Sequence, residues 1–138
     1  KDPKWCKRVP AVSAPVLKQF FCATPSAGLM QYEWAKHGSC IESDAERYFR
    51  IATRQFAALN FPDMESLSRS QTTVGAFTAA FVAGNPGRSA DMVRLDVTPL
   101  GWLKELRLCL GKDYRPVPCS RDIGGEESDT RLRIWPAR

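Results

Sequence analysis

The residues with the clearest chemical potential lie in one short stretch, YEWAKHGSC, Tyr32 to Cys40, which holds the chain's single histidine, His37. If Tyr32 to His37 is helical, Glu33 and His37 are four residues apart and share a face, and Glu33 and Lys36, three apart, are neighbours too. The ordinary titration of histidine spans neutral pH, which suits a general acid–base group. A lysine beside it could neutralise a phosphate oxygen. Trp34 points elsewhere, toward a core. The same letters also fit a plain helix end: Glu–Lys pairs are common on surface helices, and a glycine following the histidine is an ordinary stop signal. Spacing alone does not separate these readings.

The elements around this stretch must hold it in place. Ser13 is suited to cap a first helix with Pro15 in its first turn, carrying Val16, Leu17, Phe20 and Phe21 on an apolar face. Pro25 breaks that segment. Ser26 is suited to cap a second helix over Ala27 to Lys36, with Gly38 as its stop. Ser43 and Glu46 form a capping-box pattern before a third helix, in which Ala45, Tyr48, Phe49, Ala52, Phe56 and Leu59 recur at helical spacing up to Pro62. TTVGAFTAAFVAG reads as a fourth helix, ended by Gly84 and an NPG turn.

Beyond it the period changes to two. MVRLDV places Val93, Leu95 and Val97 on one face, and WLKELRLCL alternates through Leu106, Leu108 and Leu110. GKD makes a turn, YRPVPC returns as a short strand, and RLRIW adds a last one. This order predicts an α+β fold, with the helices of the first half packed on an antiparallel sheet from the second half. No internal repeat and no interdomain linker are visible, so residues 1–138 read as a single domain.

The chain has 138 residues, 43% of them hydrophobic, and a net charge of +5 from 20 basic and 15 acidic side chains. That length can bury a core, and the mild basic excess suits a polyanionic partner as well as it suits plain solubility. No run is apolar for long enough to span a bilayer, and the charged start, KDPKWCKRVP, has no signal-peptide core. Cytosolic residence, or export with a leader already removed, is therefore expected. Five cysteines favour an oxidising compartment and disulfides. Their spacing does not match a zinc ribbon or finger, so no metal site is expected.

The stretch LMQYEWAKHGSC resembles the second active-site motif of the ribonuclease T2 family, HEWxKHGTC. Glu33, Trp34, Lys36, His37, Gly38 and Cys40 match it. Tyr32 stands where the motif's first histidine is usual, as in bacterial, ribonuclease I-like members, and Ser39 replaces threonine. Downstream, WLKELRLCLGKDYRPVPC is similar to the family's late strand hairpin with its paired cysteines. The resemblance covers roughly Lys1 to Cys119.

It implies an endoribonuclease that needs no metal or cofactor and cleaves single-stranded RNA. The substrate's 2′-hydroxyl attacks the adjacent phosphorus and leaves a 2′,3′-cyclic phosphate, so DNA is not a substrate. By position His37 would be the general base. Glu33 and Lys36 would steady the charged phosphorane, and Tyr32 would hold phosphate through a hydrogen bond without adding charge. The resemblance also implies a Cys109–Cys119 bridge across the hairpin and a bond from Cys40 to an upstream cysteine, for which Cys6 is the best candidate. Cys22 is left over, either as a buried thiol or with a partner elsewhere. A periplasmic or secreted location and no membrane partner follow.

One departure matters. The family's first motif, HGLWP, carries its other catalytic histidine and has no counterpart here. In family register the chain lacks that N-terminal part, which becomes a candidate partner. The alternative is a catalytically impaired relative that acts by binding RNA or a protein.

Overall fold

A computed structural model of the chain describes Cys6 and residues 9–136. The fold is α+β, with most helices in the first half and small antiparallel strand pairs in the second. Backbone contacts divide it into two compact units, Lys1–Leu59 and Asn60–Arg138.

The first unit is helical. Helix α1 spans Ala14–Phe20, α2 Ala27–Lys36 and α3 Ala45–Ala57, and a single 3₁₀ turn, Gly38–Cys40, follows α2. Ser26 caps α2 as expected, its hydroxyl accepting from the Leu29 N–H at 3.2 Å, which satisfies one of the donors a helix start leaves without partners. The cap of α3 is Asp44 rather than Ser43. Its carboxylate accepts from the N–H groups of both Glu46 and Arg47, and a charged acceptor makes the stronger hydrogen bonds. Val12, Phe20, Met30, Trp34 and Phe49 form the core of this unit, with Val16, Leu17 and Tyr48 packed against it. The apolar periodicity overcounts at its edges: Phe21 and Phe56 are exposed.

The second unit begins with a short helix that the periodicity does not reveal, α4, Met64–Ser68, capped by Asp63. Thr72–Thr73 forms strand β1 rather than the first turn of the following helix, α5, Val74–Ala83. The expected last strand exists as β4, Arg131–Leu132, and it pairs antiparallel with β1, Thr72 opposite Leu132. Thr73 then caps α5 through its side chain, accepting from the Ala76 N–H. Between them β2, Val93–Val97, and β3, Leu103–Leu108, form the expected antiparallel pair, with Val93 opposite Leu108 and Leu95 opposite Leu106. YRPVPC is not a regular strand. Two prolines remove ladder donors, leaving a single bridge between Leu110 and Pro116 and three backbone bonds to neighbouring segments, Gly111 N–H to the Arg115 carbonyl at 2.9 Å, Val117 N–H to the Cys109 carbonyl at 3.0 Å and Cys119 N–H to the Asp91 carbonyl at 2.8 Å.

Both bridges implied by the resemblance are present: Cys6–Cys40, closing a separation of 34 residues, and Cys109–Cys119, closing 10. Cys22 stands outside both and is exposed, not buried. No helix among the described residues is long and apolar enough to cross a membrane.

Candidate active site

Helix α2 sets the site by what it buries. Met30 and Trp34, four residues apart, are almost wholly buried, and Ala35 beside them is buried as well. That fixes the rotation of the helix and turns Tyr32, Glu33 and Lys36 toward solvent, while Gln31 accepts from the Val12 N–H. His37 Nε2 lies 4.0 Å from Glu33 Oε2, and the two side chains keep 53% and 38% of their surface exposed. A pair this open adds little to stability, and its consequence is orientation: the carboxylate holds the imidazole in one sector while leaving it open to a ligand.

Lys36 and Tyr32 form the adjoining edge. Lys36 Nζ donates to the Tyr32 hydroxyl and sits 4.8 Å from the centre of the phenol ring. The Tyr32 ring meets His37 edge-on, with centroids 6.2 Å apart and planes at 79°. All four side chains expected at the site are therefore brought together at one helix end, with Tyr32 next to both the ammonium and the imidazole.

The helix end is fastened from beneath. The His37 N–H donates to the Glu33 carbonyl at 3.0 Å. Ser39 is fully buried, and its hydroxyl donates to the Ala35 carbonyl at 3.0 Å, satisfying one of the acceptors a helix end leaves open. Cys40 is tied to Cys6 with Cα atoms 5.0 Å apart. Gly38 is not among the glycines with positive φ, so its role is not that of a left-handed stop. A Cβ here would come within 2.6 Å of Trp34 Cε3 and 2.8 Å of the Tyr48 ring. Glycine is required because two aromatic rings close over the backbone beside His37.

Tyr48 is a contributor to this site that periodicity does not reveal. Its place on the apolar face of α3 marks it only as core. Its phenol is pushed above its ordinary value, first by burial and then by the negative charge of Glu33. The Glu33 carboxylate thus acts on a half-buried phenol as well as on the exposed imidazole. The arginines of α3 offer less than their number suggests: Arg47 pairs with Glu42 at 3.1 Å, and Arg50 pairs with Glu46. Trp5, a residue type that can stack a base but more often fills a core, lies outside the described residues. Among those described, no three histidine, cysteine, aspartate or glutamate side chains converge as metal ligands would.

A protein of Haemophilus influenzae named a probable ribonuclease is 39% identical to this chain over 70 residues. The match covers half of this chain and a quarter of that relative's length. No family model matches the chain, and no solved structure does.

Proposed function

We propose that this chain carries part of the active site of an endoribonuclease that cleaves single-stranded RNA by transesterification, in the manner of the ribonuclease T2 family. The observation that carries the reading is the helix end itself, where an open imidazole lies 4.0 Å from a carboxylate and beside a lysine that a tyrosine holds. The similarity to a probable ribonuclease supports the choice of RNA as substrate.

In this reading His37 accepts the proton of the ribose 2′-hydroxyl. The 2′-oxygen forms a bond to phosphorus, and the bond from phosphorus to the 5′-oxygen breaks. The leaving oxygen takes a proton from a second acid, and the products end in a 2′,3′-cyclic phosphate and a 5′-hydroxyl. Lys36 offsets the charge that grows on the phosphorane oxygens. Glu33 orients the imidazole and stabilises its protonated form after the transfer. Tyr32 positions Lys36 and offers a neutral donor to phosphate. DNA, lacking the 2′-hydroxyl, is not cleaved. Two disulfides fit an oxidising compartment, so the proposed location is the periplasm or the exterior.

A second reading follows from one fact: these 138 residues hold one histidine, and a pair of acid–base groups serves this reaction. A chain that binds RNA or a protein with little cleavage is the alternative. Cleavage of a short single-stranded RNA in the presence of EDTA, with His37→Ala alongside, decides between them. Cyclic-phosphate products that fall by about 10²–10⁴-fold in the variant support the ribonuclease. Equal background in both proteins means that these 138 residues are either a part that needs its missing half for cleavage or a relative that acts by binding.

A further inference from the structure

The last described segment of the second unit alternates. Leu132 and Ile134 are buried, while Arg131, Arg133 and Trp135 are exposed. In extended backbone this puts the two arginines and the tryptophan on one face, about 6–7 Å from one to the next. Leu132 and Ile134 anchor the other face.

Trp135 does not stand alone. Its ring lies parallel to that of Trp102, with centroids 4.1 Å apart and an interplanar angle of 12°. The Arg133 guanidinium lies 4.3 Å from the centre of Trp102. Two planar groups so close to one centre occupy its two faces, so Trp102 is filled on both sides. Trp135 is covered on one side only and remains 65% exposed. The arrangement is a guanidinium, an indole and a second indole in a row, ending on an open aromatic face.

The backbone fixes this row before any ligand arrives. The Thr98 N–H donates to the Trp102 carbonyl, the Arg133 N–H to the Gly101 carbonyl and the Leu103 N–H to the Arg133 carbonyl, each at 2.8 Å. Gly101 makes the turn with φ +82, a conformation that side chains disfavour. Beside the row is a cavity of about 560 Å³ whose lining includes Arg69, Ser70, Gln71, Trp102, Arg131 and Arg133. None of the ion pairs among described residues involves Arg131 or Arg133.

We propose that the open face of Trp135 is a stacking platform for an unpaired nucleobase of single-stranded RNA, with Arg131 and Arg133 neutralising the adjoining phosphates. A base needs a rigid π-face and its backbone needs cations at short intervals, and both lie on one strand face here. The inference rests on the reading of RNA as ligand and adds a binding surface outside the helix end that carries His37.

The test uses the full chain and a labelled single-stranded oligonucleotide with 2′-O-methyl riboses. This probe cannot be cleaved, so binding is read apart from catalysis. Trp135→Ala is expected to weaken binding by about 5- to 100-fold, while Trp135→Phe keeps most of the affinity. Replacing Arg131 and Arg133 with glutamine is expected to flatten the salt dependence by about 0.7 in log–log slope for each phosphate that is no longer neutralised. A Trp135→Ala protein that binds within twofold of the parent, or a parent that does not bind the probe, overturns the platform. A parent that binds but does not cleave natural RNA leaves the platform standing and counts against the ribonuclease reading alone.

Discussion

Gly38→Ala isolates what holds the candidate site together. The new methyl would meet Trp34 Cε3 at 2.6 Å and Tyr48 Cδ1 and Cγ at 2.8 Å. Against an ordinary carbon–carbon separation of about 3.5 Å the deficit is roughly 0.7–0.9 Å. Neither ring can yield cheaply. Trp34 is buried in the core, and Tyr48 packs against both Trp34 and Phe49, with centroids 6.0 and 5.2 Å away. Overpacking of this kind costs about 1–3 kcal/mol. Restricting the unfolded chain returns roughly 0.4–1 kcal/mol, so the net loss is about 1–2 kcal/mol, or about 3–8 °C in Tm. Thermal and denaturant unfolding followed by tryptophan fluorescence measures it. Gly38→Asn supplies the discriminating comparison. If glycine served here as a left-handed helix stop, asparagine would be the milder change. If space is what matters, the larger side chain is the worse one. An alanine variant within about 0.5 kcal/mol of the parent, or an asparagine variant more stable than the alanine one, would refute the argument. On the catalytic side, the methyl displaces the residue next to His37, and a shift near 1 Å can lower cleavage by about 10²-fold.

Three further outcomes are expected. Because burial and then Glu33 raise the Tyr48 phenol above 10.0, the folded chain holds that proton after the unfolded chain has lost it. Stability from this group is therefore full below about pH 10 and declines as pH rises through the folded value. In an ultraviolet titration with Tyr48→Phe as reference, Glu33→Gln should bring the Tyr48 transition down while leaving it above normal. Peptide mapping without reduction should return Cys6–Cys40 and Cys109–Cys119 as bridged pairs and Cys22 as alkylated. Replacing Cys6 and Cys40 together with serine should lower stability by about 4 kcal/mol for a separation of 34 residues. Asn85 is buried, accepts from the Asn60 N–H and donates to the carbonyls of Asn60 and Phe81. Asn85→Ala strands those groups and should cost about 1–3 kcal/mol in denaturant unfolding.

Local chemistry decides much of this protein within its sequence. Ser26, the apolar pair Met30 and Trp34 and the length of α2 are short-range features, so the helix and the shared face of Glu33 and His37 can be read directly. The β2–β3 pair is equally legible, because alternation of apolar residues encodes a face. The cap of α3 lies one residue from its sequence signal because serine and aspartate stand side by side, and only three-dimensional reach selects the carboxylate. Thr72 and Thr73 look like the start of a helix because the residues after them are helical, yet their partners are Leu132 and Arg131, some sixty residues away. The use of Gly38 is hidden for the same reason. Its signal in sequence is that of a helix stop, whereas its physical necessity comes from the rings of Trp34 and Tyr48, the second of them on another helix. By residue type alone Trp102 and Trp135 fit a core or a hairpin better than a stacking surface; a backbone bridge between Trp102 and Arg133 stacks them on each other. Sequence alone settles what depends on neighbours within a few turns. Pairings between distant segments settle the rest, because the chain entropy of bringing them together is repaid only when the whole fold forms.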